Sequence, residues 1–432
     1  MAYRMLIGGE LCDGHGTLGV IDPAHGTVFE TAPRANPSQL DQAVAAGRQA
    51  FPKWAGMSFA RRRAFLERFA DAIEGRLHDF ASLLTREQGK PLAEARYEIM
   101  GSIFALRHFA QIELPVRTLY DTAHERVTEH RSPLGVVAAI TPWNFPALLL
   151  MLKLAPALIA GNVVIAKPAP TTPLTTLLLG EIAADVLPAG VFQTLVDAND
   201  LGPLLVSHSG VAHVNFTGST STGRKVLAGV ASTLKRFTLE LGGNDVAIVL
   251  DDVDVDEVAP KIYQSAMANA GQICLATKRV YAPAHLYDSL CDALGQLAAE
   301  AVVGDGMDPS TEMGPIQNQR QFDKLLGYLD EAKRLGTVVA GGHVLERDGY
   351  FIAPTIARNM PPNSALVSEE QFGPILPVLP YSSIEEAVAQ ANGTEYGLGG
   401  SVWSGDPERG AEVALQINSG TVWVNRHLIL PF

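Results

Sequence analysis

Cysteine is scarce: the 432 residues contain three, Cys12, Cys274 and Cys291. An odd, small number cannot build a disulfide framework and fits a reducing compartment. No two of them stand at metal-ligand spacing and no histidine cluster completes a site, so no metal is expected. Positive charge is short as well, with 33 Lys+Arg against 46 Asp+Glu and a net charge of −13. That balance argues against nucleic acid as a partner, because phosphate backbones demand a basic surface; a local basic cleft is still allowed. Charged residues make up only 18% of the chain and hydrophobic ones 47%, which excludes a disordered polymer. Also missing is an unbroken apolar run of membrane-spanning length. The stretch from Phe145 to Val164 is interrupted by Pro146, Lys153, Pro156 and Gly161-Asn162, and it reads as a buried helix feeding a buried strand. The N-terminus, MAYRMLIGGE, meets charge and glycine too early for a signal peptide. These absences predict a soluble cytoplasmic protein, and the length predicts two or three lobes.

What is present is patterned. Short strands open the chain (MLIGG, GVIDP, TVFETAPR), followed by three helical stretches. Ser38 with Asp41 reads as a capping box for the first and Ser58 as the cap of the second; Gly89 ends that helix and Pro91 opens the third. Arg117 to Arg131 is polar and alternating, as in a projecting hairpin. From Leu134 the chain alternates strand and helix: strands at 134–140, 162–168, 191–196, 211–216 and 237–241, helices near 147–160, 173–186, 201–208 and 221–232. After Gly242-Gly243 the style repeats. The fold class is therefore α/β, with two doubly wound parallel-sheet lobes.

Several strand-to-helix loops carry residues of two possible meanings. Gly218-Ser219 opens a helix after the strand ending VNFT, a phosphate-friendly position or a plain tight turn. Lys167 ends the strand NVVIA and is a cation for a ribose or phosphate, or merely solvated. Glu240 lies between Leu239 and Leu241 and is either a carboxylate at a strand end or a base. Asn144, between Pro142 and Pro146, either caps the next helix or donates to an oxyanion. Cys274, in AGQICL, is by itself an inert small hydrophobe; a reactive thiolate needs a base or a positive field.

In order along the chain stand TPWNFP, VIAKPA, FTGSTSTG, LELGGN, GQIC and EEQFGP, with 34 residues from Glu240 to Cys274. This series resembles the aldehyde dehydrogenase superfamily over essentially the whole chain, NAD(P)-dependent and of the hydrolytic type. The resemblance implies that family's fold. Residues 1–112 with 134–241 would form the dinucleotide-binding domain, 113–133 an oligomerisation hairpin and 242–432 the catalytic domain. It implies Cys274 as nucleophile, Asn144 and the Cys274 N–H as oxyanion donors, Glu240 as the base for hydrolysis and Lys153 as a proton relay.

For the cofactor it implies NAD, with NADP open. Lys167 and Glu370 would hold the riboses, with Phe372 near the nicotinamide ribose, Ile140, Thr141 and Trp143 along the cleft, and Gly218-Ser219 by the pyrophosphate. Leu241 and Gly242 match the stretch beside the nicotinamide. Glu369 adjoins Glu370, which is chosen because it lies two residues before Phe372-Gly373-Pro374. Two departures bear on the choice of cofactor. Pro170 replaces a common glutamate, which favours NADP, and the acidic Val196–Asp200 segment replaces a glycine-rich turn, which favours NAD.

The substrate pocket would be lined by Phe145, Leu148, Leu149 and Leu152 on one helix face, by Ile273 and Leu275, and by Leu428 and Leu430. No arginine stands among them, so an apolar aliphatic or aromatic aldehyde is the expected substrate; the resemblance also implies a homodimer or homotetramer. Two alternatives are a CoA-acylating relative, against which Glu240 counts, and a non-catalytic member. The apolar ending Leu428-Ile429-Leu430-Pro431-Phe432 asks for burial, and the resemblance implies further chain beyond it.

Overall fold

The computed structural model describes residues 3–429; Leu430 lies outside them. At the start, β1 (Met5–Ile7) pairs with β2 (Glu10–Cys12), and β3 (Gly16–Asp22) with β4 (Thr27–Arg34). Four helices follow: α1 (Pro37–Ala55), α2 (Phe59–Glu74), α3 (Leu77–Gln88) and α4 (Leu92–Ala110). This corrects the expectation of three, because the chain breaks at Gly75-Arg76 where one continuous helix was read. The first cap also moves. Asn36, not Ser38, accepts the Gln39 N–H at 2.9 Å, while the Gln39 side chain accepts the Asn36 N–H at 3.2 Å. Pro37 fixes the first helical φ and brings no N–H of its own, so the helix starts there. Ser58 caps α2 and Gly89 ends α3 in the left-handed conformation, as expected.

An antiparallel hairpin, β5 (Arg117–Asp121) and β6 (Arg126–Glu129), leads into the first main sheet. Its strands are β7 (Val136–Ile140), β8 (Val163–Lys167), β9 (Phe192–Thr194), β10 (Val211–Thr217) and β11 (Arg236–Glu240), all parallel in the order β11-β10-β7-β8-β9. Between them run α5 (Pro146–Ile159), α6 (Leu174–Val186), α7 (Gly202–Ser207) and α8 (Thr220–Ala231). Strands β7 and β8 are buried at every residue, which is why they read as continuous Val/Ile/Ala runs instead of alternating ones. The order reverses between β7 and β10, and ligands of such sheets bind at that reversal, beyond the carboxyl ends.

The second sheet holds β12 (Asp245–Val249), β13 (Thr277–Pro283), β14 (Thr337–Ala340), β15 (Thr355–Arg358), β16 (Ile375–Tyr381), β17 (Gly399–Trp403) and β18 (Thr421–Val424), in the order β14-β15-β16-β13-β12-β17-β18. Edge strand β14 runs antiparallel to β15, where a fully parallel lobe was expected. One apolar core draws on residues 5–230 and a second on residues 246–417. The connection between β12 and β13 is α9 (Val255–Met267), a short 3-10 turn at Ala268–Gly271 and then Cys274. It delivers Cys274 to the amino end of β13, beside the chain that crosses from β11 to β12.

Candidate active site

The carboxyl edge of the first sheet and the amino edge of the second face one another. Ile140, Lys167 and Phe216 stand in register at the ends of β7, β8 and β10, and Thr217 is in register with Glu240. From β7 the chain passes through Thr141, Trp143 and Asn144 into α5. The Asn144 side-chain N–H donates to the Gln272 carbonyl at 2.9 Å, and Asn144 Oδ1 is buried with no partner. Asn144 and the Cys274 loop, 130 positions apart in sequence, are thereby tied together.

The loop itself is strained. Asn269, Ala270 and Gly271 have φ of 51°, 54° and 70°, three successive left-handed residues, costly for Asn and Ala and kept only where contacts over-determine them. Such contacts surround the loop. The Glu94 carboxylate accepts the Asn269 N–H at 3.1 Å, Gln272 Nε2 donates to the Asn269 carbonyl at 2.9 Å, and Gln272 Oε1 accepts the Gln317 N–H at 2.9 Å.

Cys274 is half-buried, and burial pushes its thiol up to about 11; Lys278 opposes that rise, while Asp245 and Glu370 add to it. Cys291 is fully buried among the aliphatic side chains of the second core, its thiol pushed up to about 12. Cys12, near the surface, also has a raised thiol through partial burial.

Glu240 is exposed at the end of β11. With Leu241, Gly242, Thr220, Leu239 and Tyr396 it lines a cleft of about 280 Å³. Lys153 points from α5 to the neighbouring strand, donating to Asn215 Oδ1 at 2.7 Å and Thr217 Oγ1 at 2.6 Å. Burial pulls its ammonium down to about 8, against the Coulombic pull of Glu240.

The expected cofactor residues fall into one neighbourhood. Trp143 meets Phe372 edge-on at 5.4 Å. Glu370 accepts the Gly243 N–H at 3.1 Å, whereas Glu369 is turned away and accepts the Tyr328 hydroxyl at 2.9 Å. Ser219 caps α8, and the Gly218 N–H donates to the Glu240 carbonyl at 3.0 Å. Lys167 is buried and ion-paired with Asp197 at 2.5 Å. The Thr141 hydroxyl is buried without a partner. A helix N-terminus, a buried cation and an orphan hydroxyl at the switch point fit a dinucleotide.

On α5 the faces separate cleanly. Phe145, Leu148, Leu149 and Leu152 are half-buried, while Ala147, Leu150, Met151, Leu154 and Ala155 are fully buried. Ile273, Leu275 and Leu428 are half-buried too, with Leu428 at φ 62°.

Sequence reasoning passed over two buried groups. Lys90 Nζ, fully enclosed, donates to Glu98 at 2.5 Å and to the Asn144 carbonyl at 2.9 Å, and lies 3.5 Å from the Phe145 ring centroid. Glu98 also accepts the Ala147 N–H at 2.9 Å, so this pair anchors the start of α5 and with it Asn144. Asp245, Lys278 and His427 form the second group beneath Cys274. Asp245 is pushed up to about 7 by burial, and His427, whose Nε2 lies 2.6 Å from the Leu275 carbonyl, is pulled down to about 4 by burial. The one signal in the sequence was charge inside a buried strand: one acid in DVAIV and two adjacent bases in TKRVYAP.

The chain matches the aldehyde dehydrogenase family over residues 12–431. It belongs to that family. It is 39% identical over 426 residues to the aldehyde dehydrogenase LUC3 of a Fusarium species, covering 98% of this chain and 90% of that protein. It is 38% identical to geranial dehydrogenase of Castellaniella defragrans (92% and 85% covered), and 36% identical to the NADP(+) succinate-semialdehyde dehydrogenase GabD of Escherichia coli (99% and 90% covered). The NAD+ complex of a Bacillus cereus aldehyde dehydrogenase superposes with a TM-score of 0.97 at 33% identity, covering all of this chain and 90% of that one. As an aldehyde dehydrogenase, this chain is an oxidoreductase of the NAD(P)-dependent kind. Among the described residues, no helix is long and apolar enough to cross a membrane, and no group of three or more His, Cys, Asp or Glu is placed to hold a metal.

Proposed function

We propose that the chain oxidises apolar aliphatic or aromatic aldehydes to their acids, with Cys274 as nucleophile. The observation that carries the mechanism is the Asn144 side chain donating to the Gln272 carbonyl, which ties that amide to the loop that carries Cys274. The Cys274 sulfur adds to the aldehyde carbon, and the Asn144 amide with the Cys274 N–H stabilises the oxygen anion of the resulting thiohemiacetal. Lys167, Ser219, Glu370 and their neighbours would hold NAD(P)+, which would supply the acceptor for the hydride released as the adduct becomes a thioester on Cys274. Glu240, exposed at the rim of the cleft, takes a proton from the water that hydrolyses it. Lys153 carries protons between β10 and that carboxylate.

NAD is the favoured cofactor. The buried Asp197 carboxylate beside Lys167 repels a 2′-phosphate, although Pro170 leaves out a second repelling acid. On substrate the relatives point in two directions, one named for geranial and one for succinate semialdehyde. The half-buried face formed by Phe145 and by Leu148, Leu149 and Leu152 of α5 supports the apolar reading: none of these four side chains is a cation to anchor a carboxylate. We place the enzyme in the cytoplasm as a homodimer or homotetramer. In this reading residues 1–112 and 134–241 bind the dinucleotide, 242–432 carry the nucleophile and 113–133 the subunit contact.

A panel of hexanal, benzaldehyde and succinic semialdehyde, run with NAD and with NADP, tests the specificity through kcat/KM. Hexanal or benzaldehyde should lead succinic semialdehyde by at least about tenfold, roughly 1.4 kcal/mol; a lead for the semialdehyde overturns the substrate class. C274A should abolish turnover, and retained activity would sink the mechanism.

A further inference from the structure

Lys278 is a lysine with 1% of its surface exposed, on a strand with no solvent to reach. Among the described residues its ammonium has no carboxylate within ion-pairing distance. It donates to the Ile273 carbonyl at 2.5 Å and more weakly to the Ala276 carbonyl at 3.4 Å. The Ile273 carbonyl belongs to the peptide unit whose other end is the Cys274 N–H. Around the ammonium stand Cys274, Asp245 and Glu370 as its Coulombic neighbours; the Phe372 ring centroid is 5.6 Å away, and the Lys278 charge adds to the burial that pulls His427 down to about 4.

A cation held in a dry site is costly unless something is gained from it. A charge-assisted hydrogen bond to a peptide carbonyl draws electron density toward oxygen and makes the N–H of the same peptide a stronger donor. The same charge favours sulfur as thiolate over thiol. We propose that Lys278 is a positioning residue that polarises the Ile273–Cys274 peptide and supplies the positive field for the Cys274 thiolate. It touches neither substrate nor cofactor; it acts through the backbone and through space. Burial lowers the ammonium, and Glu370 and Asp245, ranged around it, oppose that loss of charge. The inference rests on Cys274 as the nucleophile, proposed above.

The test is the second-order rate of iodoacetamide labelling of the full chain between pH 7 and 9, with the label located by mass spectrometry, alongside steady-state kinetics on hexanal. In K278M, labelling at Cys274 should slow about tenfold at each pH, the equivalent of one unit in the thiol's ionisation. Its kcat should fall about tenfold, while the aldehyde KM changes less than about twofold. K278Q keeps a donor for the Ile273 carbonyl without the charge. It should label as slowly as K278M, and it serves in its place if the methionine variant does not fold. Wild-type labelling rates at Cys274 in either variant overturn the role of Lys278. A label found elsewhere than Cys274 overturns the nucleophile instead, and the inference with it.

Discussion

Burial acts on the reactive side chains of this site before any neighbour does. It raises the Cys274 thiol, lowers the Lys153 ammonium and raises Asp245, and in each the charged neighbours only modify the result. For Lys153 the sign is clear. With its ammonium pulled down to about 8, the group is charged below that pH and a neutral amine above it, where it can accept a proton. If it relays protons near Glu240, kcat should climb through pH 8 and level off above it. K153M should remove that step and lower kcat about tenfold at pH 9. A K153M profile with the same inflection would assign the ionisation to another group.

At the scale of elements, the site hangs on buried carboxylates that reach from the first helices to distant backbone. Glu87, at the end of α3, accepts the N–H groups of Leu174 and Thr175 at 2.7 and 2.9 Å, holding the start of α6. Burial pushes it up to about 7. A carboxyl raised on folding binds more protons in the native state than in the unfolded one between about pH 4.5 and 7, so its contribution falls as pH rises through that window. E87Q has no such proton to lose. Its cost in Tm, corresponding to about 2 kcal/mol, should be largest near pH 5 and shrink by pH 8; a cost that grows with pH would contradict the burial argument. These struts are also where the sequence was least readable. The strand–helix alternation showed because a sheet buried on both faces must be written in Val, Ile and Ala. The caps at Ser58 and Gly89 showed because capping is local. Asn36 was passed over for Ser38, since a second cap candidate stood two residues away and only the fixed geometry of Pro37 decides between them. Glu87, Lys90 and Glu98 read as ordinary helix charges. Their burial depends on contacts with residues about 50 to 90 positions away, which no local pattern records. Asn144 and the Cys274 loop, which the structure ties together, were picked out by their motifs, whereas Asp245, a lone charge in an apolar strand, and Lys278, beside Arg279 in another, were not.

At the scale of the whole molecule, the hairpin of β5 and β6 stands out as structure without a core. All of β5 is exposed, and among its apolar side chains Leu119 is 56% and Tyr120 50% exposed, flanked by Val116 at 57% and Val127 at 45%. A two-stranded ribbon is marginal in water on its own, and its outer edges offer unpaired N–H and C=O groups to another strand. The ion pairs along it, such as Arg126 with Asp121 at 2.7 Å, are too solvated to compensate. In the assembly proposed above, a second copy of the chain would cover it, because a two-fold contact buries the same apolar patch on both subunits at once. On this argument the double variant L119D/Y120D places two carboxylates in the shared surface without touching either core. Light scattering coupled to size exclusion should then show the mass falling from a dimer or tetramer toward that of one chain, with the thermal transition of the two lobes largely preserved. A wild-type protein that already runs as a monomer, or a variant that keeps its assembled mass, would move the subunit contact elsewhere on the surface.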